Sequence, residues 1–244
     1  MVSSTLPNRP VQRVQAIHPA LWRASQLARP AQPTISSGFP ALDRQLPGNG
    51  WPLGSLIELF CGQLPIGEMQ LLQPGLSQLN PAQRIVLLNS PFQPNALCHL
   101  NIPRFWQRVL CIQPETPRLC CWAAEQILRH NACAALLFWL PPRTPPGVLR
   151  KLHVTARQGH TLFIGFNSAA PPWPAGAAPL RLQLLAAAQG LSIRFIKRQG
   201  PQLEDLVHLD LGNPFSAISH WPVPGSQPAI HHGSLDHTLF PAHH

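Results

Sequence analysis

Apolar positions along the chain fall into two rhythms. Ser55-Leu-Ile-Glu-Leu-Phe60 has apolar residues on both faces, as a strand buried inside a parallel sheet requires. Leu71, Leu72, Leu76 and Leu79 then recur near helical spacing, and Pro74 predicts a kink in that helix. The alternation continues. Arg84–Asn89 reads as a strand, Asn101–Val109 as a short segment of helical character, and Leu110–Gln113 as another strand. Residues 117 to 130 place Cys120, Ala123, Ala124, Ile127 and Leu128 on one helical face. Ala134–Leu140 reads as a buried strand closed by Pro141-Pro142, Val148–Gln158 as a helix and Leu162–Phe166 as a strand. Strands separated by helices imply right-handed crossovers and a parallel sheet. From Pro179 the pattern shortens to Leu180–Leu184, Leu191–Arg198 and Leu206–Leu211, which alternate apolar and polar residues as half-solvated antiparallel strands do. The predicted fold class is α/β, a mostly parallel sheet flanked by helices with a small antiparallel extension.

The two ends differ from this core, which spans residues 35–211. Residues 1–34 form an arm in which His18–Ala28, with Pro19 in a first turn, offers Leu21, Trp22 and Leu27 on one helical face. That face docks either on its own domain or on a neighbour. Residues 212–244 are rich in Pro, Gly, Ser and His and lack periodicity, yet contain Trp221, Leu235, Leu239 and Phe240. Apolar anchors in such a tail imply a segment that orders on a partner.

With 244 residues, 45% of them hydrophobic, the chain can bury one substantial core. Its net charge is +9, and among its 18 basic residues lysine occurs only at Lys151 and Lys197. An arginine-rich surface suits phosphates or acidic proteins, although no dense basic run separates it from that of an ordinary basic protein. The six cysteines show no C-x-x-C pattern and lie mostly in apolar segments, as in a reduced cytoplasmic protein. Neither a secretory signal nor a membrane-spanning run is expected. Six of the 12 histidines lie in the tail without a supporting cysteine or carboxylate cluster, so no metal site is expected.

The sharpest chemical feature is Cys61-Gly-Gln-Leu-Pro-Ile-Gly-Glu-Met69, between a strand and a helix. A phosphate-binding loop reads G-x-x-x-x-G-K-[ST]: the glycines let backbone amides converge, the lysine adds charge and the hydroxyl holds Mg²⁺. Gly62 and Gly67 keep that spacing, but Glu68 replaces the lysine and Met69 the hydroxyl residue. A carboxylate repels a triphosphate and a thioether is a poor ligand for a hard cation. No nucleotide cofactor is therefore expected.

The order of these motifs resembles RecA over about residues 35 to 210. Ile35–Asp43 resembles the segment that opens the RecA ATPase core, Gly48–Gly54 the turn before its first strand, and Gly62–Met69 its Walker A loop. Arg150-Lys-Leu152 and Thr161–Asn167 resemble the helix and strand that lead to its sensor glutamine, whose position falls near Ser168. The chain departs from RecA where catalysis would occur. Ala134–Leu140, in the Walker B place, has no acid, and Asn89-Ser-Pro-Phe-Gln93 supplies no activating glutamate. Pro141–Pro146 and Ala169–Ala175, in the place of the DNA-binding loops, are short and stiffened by proline. Trp173 is the candidate DNA contact there, by base stacking, with packing against the fold as the alternative.

A RecA-like core without its ATPase, joined to a basic surface and an extended tail, resembles the ImuA family of mutasome accessory proteins. Leu21-Trp-Arg23, Gly48-Asn-Gly-Trp51 and Ile66-Gly-Glu68 look like that family's pattern. The resemblance implies a non-enzymatic role in SOS-induced mutagenic translesion synthesis. Its implied partners are an ImuB-like relative of the Y-family polymerases, an alternative C-family DNA polymerase and RecA, with weak non-specific DNA binding at most. The alternative is a SulA-like inhibitor of cell division that binds FtsZ, since Glu68–Pro74 and Leu136–Leu140 resemble parts of SulA.

Overall fold

A computed structural model describes residues 32–62, 67–91, 106–173, 176–188, 190–200 and 205–211. The partner-binding candidates Leu21, Trp22, Leu27, Trp221, Leu239 and Phe240 lie outside these residues.

Eight strands form the main sheet: β3 (Ser55–Cys61), β4 (Ile85–Leu88), β5 (Val109–Ile112), β6 (Ala135–Trp139), β7 (Leu162–Asn167), β8 (Leu180–Ala187), β9 (Gly190–Lys197) and β10 (Val207–Asp210). Their order is β10-β9-β8-β3-β7-β6-β4-β5. Neighbours from β8 to β5 run parallel, and β8–β9 and β9–β10 run antiparallel. The fold is thus α/β with a large, mostly parallel mixed sheet. A separate pair, β1 (Thr34–Ile35) and β2 (Trp51–Pro52), joins the chain ahead of β3 in antiparallel register.

Helices cover both faces because the buried strands are apolar on both. On one face α2 (Glu68–Gln78) inserts Met69, Leu71, Leu72 and Leu76 against Ile57, Leu59, Leu137 and Ile164. On the other, α3 (Pro117–Arg129) contributes Cys120, Ala124 and Leu128, and α4 (Pro146–Ala156) contributes Leu149, Leu152 and Ala156, packed with Leu56, Phe138 and Phe163. Thr116 caps α3 by accepting a hydrogen bond from the Leu119 amide at 3.3 Å, and Pro117 and Pro146 occupy first turns, where a missing N–H costs nothing.

Two expectations change. The segment Leu180–Leu184 reads as antiparallel, yet β8 pairs parallel with β3 through Ile57↔Leu180 and Glu58↔Arg181, and only its other edge is antiparallel. It is also mostly buried, because it is an interior strand with α/β layers around it. The last helix of the parallel region starts at Pro146, not Val148. The helix α2 contains Pro74 and extends to Gln78. Pro74 lies so close to Gly38 that a Cβ there would overlap it, and Gly75 faces the Trp51 indole.

The segment that opens the core serves as a clasp for this contact. The Ser36 hydroxyl donates to Asp43 Oδ2 at 2.6 Å and the Ser37 amide to Oδ1 at 2.8 Å, which closes the turn ahead of the short helix α1 (Pro40–Asp43). Gly54 adopts φ +65 between β2 and β3 and comes so close to the Gly159 carbonyl that no side chain fits.

Candidate functional site

In an open parallel sheet, ligands bind beyond the carboxyl ends of the strands. Here β3 delivers Cys61 and Gly62 to that rim, and Gly67, at φ +104, is the N-cap of α2. Gly62 is exposed and Gly67 buried. The two residues that depart from the phosphate-loop pattern are both inside: Glu68 is 1% exposed and Met69 5%, the latter among the residues of the α2-side core. A methionine held there by packing is directed at hydrocarbon, not at a metal ion. Glu68 opens α2, so its carboxylate stands at the positive end of the helix dipole, where a bound phosphate would otherwise find its field. Burial, helped by the neighbouring Glu68 charge, raises the Cys61 thiol far above its ordinary range, which makes it an inert core thiol.

Farther along the rim, Trp139 at the end of β6 stacks on Phe166 of β7, with ring centroids 4.5 Å apart and planes at 23°. This is the end of the strand where the ATPase pattern calls for an acid. Instead, the chain continues into Leu140 and Pro141. Asn89, just after β4 and at φ +57, donates from Nδ2 to the Trp139 carbonyl at 2.8 Å, and its backbone amide donates to Ile112 at 2.9 Å. Gln113 donates to the Ser90 carbonyl. Together these groups line a cavity of about 340 Å³ with Cys61, Leu140, Asn167 and Ser168. Among the described residues its lining has amides, hydroxyls and aromatic rings and no cation with which to neutralise a triphosphate.

On the α4 side of β3, Glu58 and Arg181 form an ion pair at 3.0 Å, with side chains 1% and 7% exposed. Asn167 Nδ2 lies 3.4 Å from Glu58 Oε1, and the Arg181 guanidinium sits 4.8 Å over the Phe60 ring. Trp173 packs against Phe60, its ring 5.9 Å away at 59°. The candidate DNA contact is therefore half-buried on the fold's own aromatic residue. Neither Glu58 nor Arg181 stands out in the sequence. The available signal was a single acid inside a strand apolar on both faces, which must find a cation when buried.

Of the sequence-level site residues, Gly62, Gly67, Glu68 and Met69 come together at one rim, and Trp173 lies across β3 from them. Among the described residues no three of His, Cys, Asp and Glu gather as metal ligands would, and no helix is long and apolar enough to cross a membrane. No protein-family model matches the chain, and no curated protein matches its sequence.

Proposed function

We propose that the chain is a RecA-like protein without catalysis, an accessory factor of SOS-induced mutagenic translesion synthesis that acts through protein contacts. Its principal partner is an ImuB-like relative of the Y-family polymerases, with RecA and an alternative C-family polymerase as further members of the assembly. One observation carries this proposal: at the turn where a phosphate loop would present lysine and hydroxyl, the chain buries Glu68 and Met69. Three features support it. The loop leaves the carboxyl end of β3, an interior strand between β7 and β8, where open α/β sheets bind their ligands. The end of β6 carries no acid and instead presents the Trp139–Phe166 stack to the cavity. Among the described residues that line the adjacent cavity, none is a cation for a triphosphate.

The test is capture of purified ImuB-like protein, RecA and FtsZ by the immobilised full chain. Retention of the ImuB-like protein, together with loss of damage-induced mutagenesis on gene deletion, is the expected result. Retention of FtsZ alone would replace the proposal with a division inhibitor, and Mg²⁺-dependent ATP hydrolysis would replace it with an enzyme.

A further inference from the structure

The helix layer formed by α3 and α4 has an outward face that neither the rim nor the sheet uses. Both helices bury one stripe, Cys120, Ala124 and Leu128 on α3 and Leu149, Leu152 and Ala156 on α4, so residues half a turn away point to solvent. On α3 those are Arg118, Trp122 and Arg129, and on α4 Arg150, Val154 and Arg157, all exposed. Trp122 is 59% exposed and Val154 56%, a large apolar exposure for two residues on adjoining helices. Lys151 on α4 reaches across to Glu125 on α3 at 2.7 Å, and Arg129 pairs with the same carboxylate. Glu125, with its side chain only 11% exposed, is thus already held by two cations, and the next acid along α3's approach is Glu115, before the cap. Gly147, in the first turn of α4, leaves open space: a Cβ there would meet nothing within 4 Å.

A cationic ridge around exposed tryptophan and valine calls for an occupant that is both acidic and apolar. The chain's own ends cannot provide it, because residues 1–31 contain no Asp or Glu and residues 212–244 contain only Asp236. A second copy applied through the same face would oppose arginine to arginine. A nucleic-acid strand would satisfy the arginines and could stack on Trp122, but its aliphatic surface, sugar carbons and the thymine methyl, is small for burying Val154 as well. We infer that the α3–α4 face binds an acidic amphipathic segment of another protein, whose carboxylates meet Arg118 and Arg150 and whose apolar side chains cover Trp122 and Val154.

Selection of displayed 16-residue random peptides on the full-length protein tests this. The expected peptides are rich in Asp and Glu, with Leu, Phe or Trp at helical spacing. Their affinity, measured by fluorescence anisotropy, falls at least tenfold on Trp122→Ala and again on Arg118→Glu with Arg150→Glu, while the melting temperature of each variant stays at the wild-type value. Three results overturn the inference: selected peptides without acidic enrichment, acidic peptides whose affinity survives Trp122→Ala, or a 20-mer of thymidylate that binds more tightly than any peptide and loses affinity in the same variants. The last would make the face a single-strand nucleic-acid site. None of these readouts depends on the rim or on the capture of an ImuB-like protein.

Discussion

Glu58 and Arg181 are register partners across the parallel pairing of β3 and β8, and their side chains meet at 3.0 Å inside the protein. Desolvation makes such a pair costly to break and inexpensive to replace. Glu58→Gln leaves a buried guanidinium without its counter-charge and should lower unfolding free energy by about 3–5 kcal/mol. Glu58→Leu combined with Arg181→Met should recover most of that loss. Denaturant unfolding of the single and double variants checks both; a double variant as unstable as the single would mean that the pair stabilises the fold outright.

Histidine 153 predicts a pH dependence. Its Nδ1 accepts a hydrogen bond at 3.2 Å from the Leu56 amide, at a point on β3 one residue before β8 begins to pair. Burial, with the charges of Arg157 and Lys197, lowers its pKa below the ordinary 6.5. The unfolded chain then binds a proton more readily than the folded one. Stability from this group is complete above the unfolded value and declines as pH falls below it, through the lowered folded value. Thermal melting followed from about pH 8 down to about pH 5 should show that decline, and His153→Gln should flatten it.

The rim predicts indifference to nucleotide. A ligand at a hundred times its Kd stabilises a fold by about 2.7 kcal/mol, a shift any melting experiment resolves. Millimolar Mg²⁺–ATP should produce none. Glu68→Lys with Met69→Thr should not create turnover, because β6 still ends without a carboxylate. The Met69 change should instead cost about 2–4 kcal/mol by opening the core. A melting point raised by ATP in the unmodified protein would refute the proposal of a silent site.

Trp173 separates packing from nucleic-acid contact. Its ring rests on Phe60, so Trp173→Ala should lower stability by about 1–2 kcal/mol, of which the ring pair supplies part. Any binding to single-stranded DNA should be weak, steeply dependent on salt and unchanged by the substitution. Anisotropy titrations at two salt concentrations decide this. Salt-resistant binding that disappears with the ring would make Trp173 a stacking platform.

Much of the sheet was legible because burial on two faces leaves a local mark: Ile57, Leu59 and Phe60 read as a parallel strand without knowledge of their neighbours. Pairing leaves no such mark. The alternation in Leu180–Leu184 reports which residues share a face, but it says nothing of whether β3 or β9 lies beside them, so the parallel edge went unread. Arg181 was hidden for the same reason. It occupies a position that reads as solvated, and only the partner strand reveals the buried Glu58 opposite it. The loop from Gly62 to Met69 was legible since its defect is one of residue types at fixed spacing. The cavity was not, because Asn89, Gln113, Trp139 and Phe166 come from the ends of four strands far apart in the sequence.

The Trp139–Phe166 stack bears on control. In a nucleotide-driven protein the rim is a clock: occupancy by one nucleotide or the next sets how long a conformation lasts, and a partner can be held or released by hydrolysis. If the rim takes no nucleotide, as proposed, it keeps no such time. On the proposed function, the duration of each assembly is then set by how quickly partners dissociate, and its extent by how many copies of the protein the cell makes and destroys.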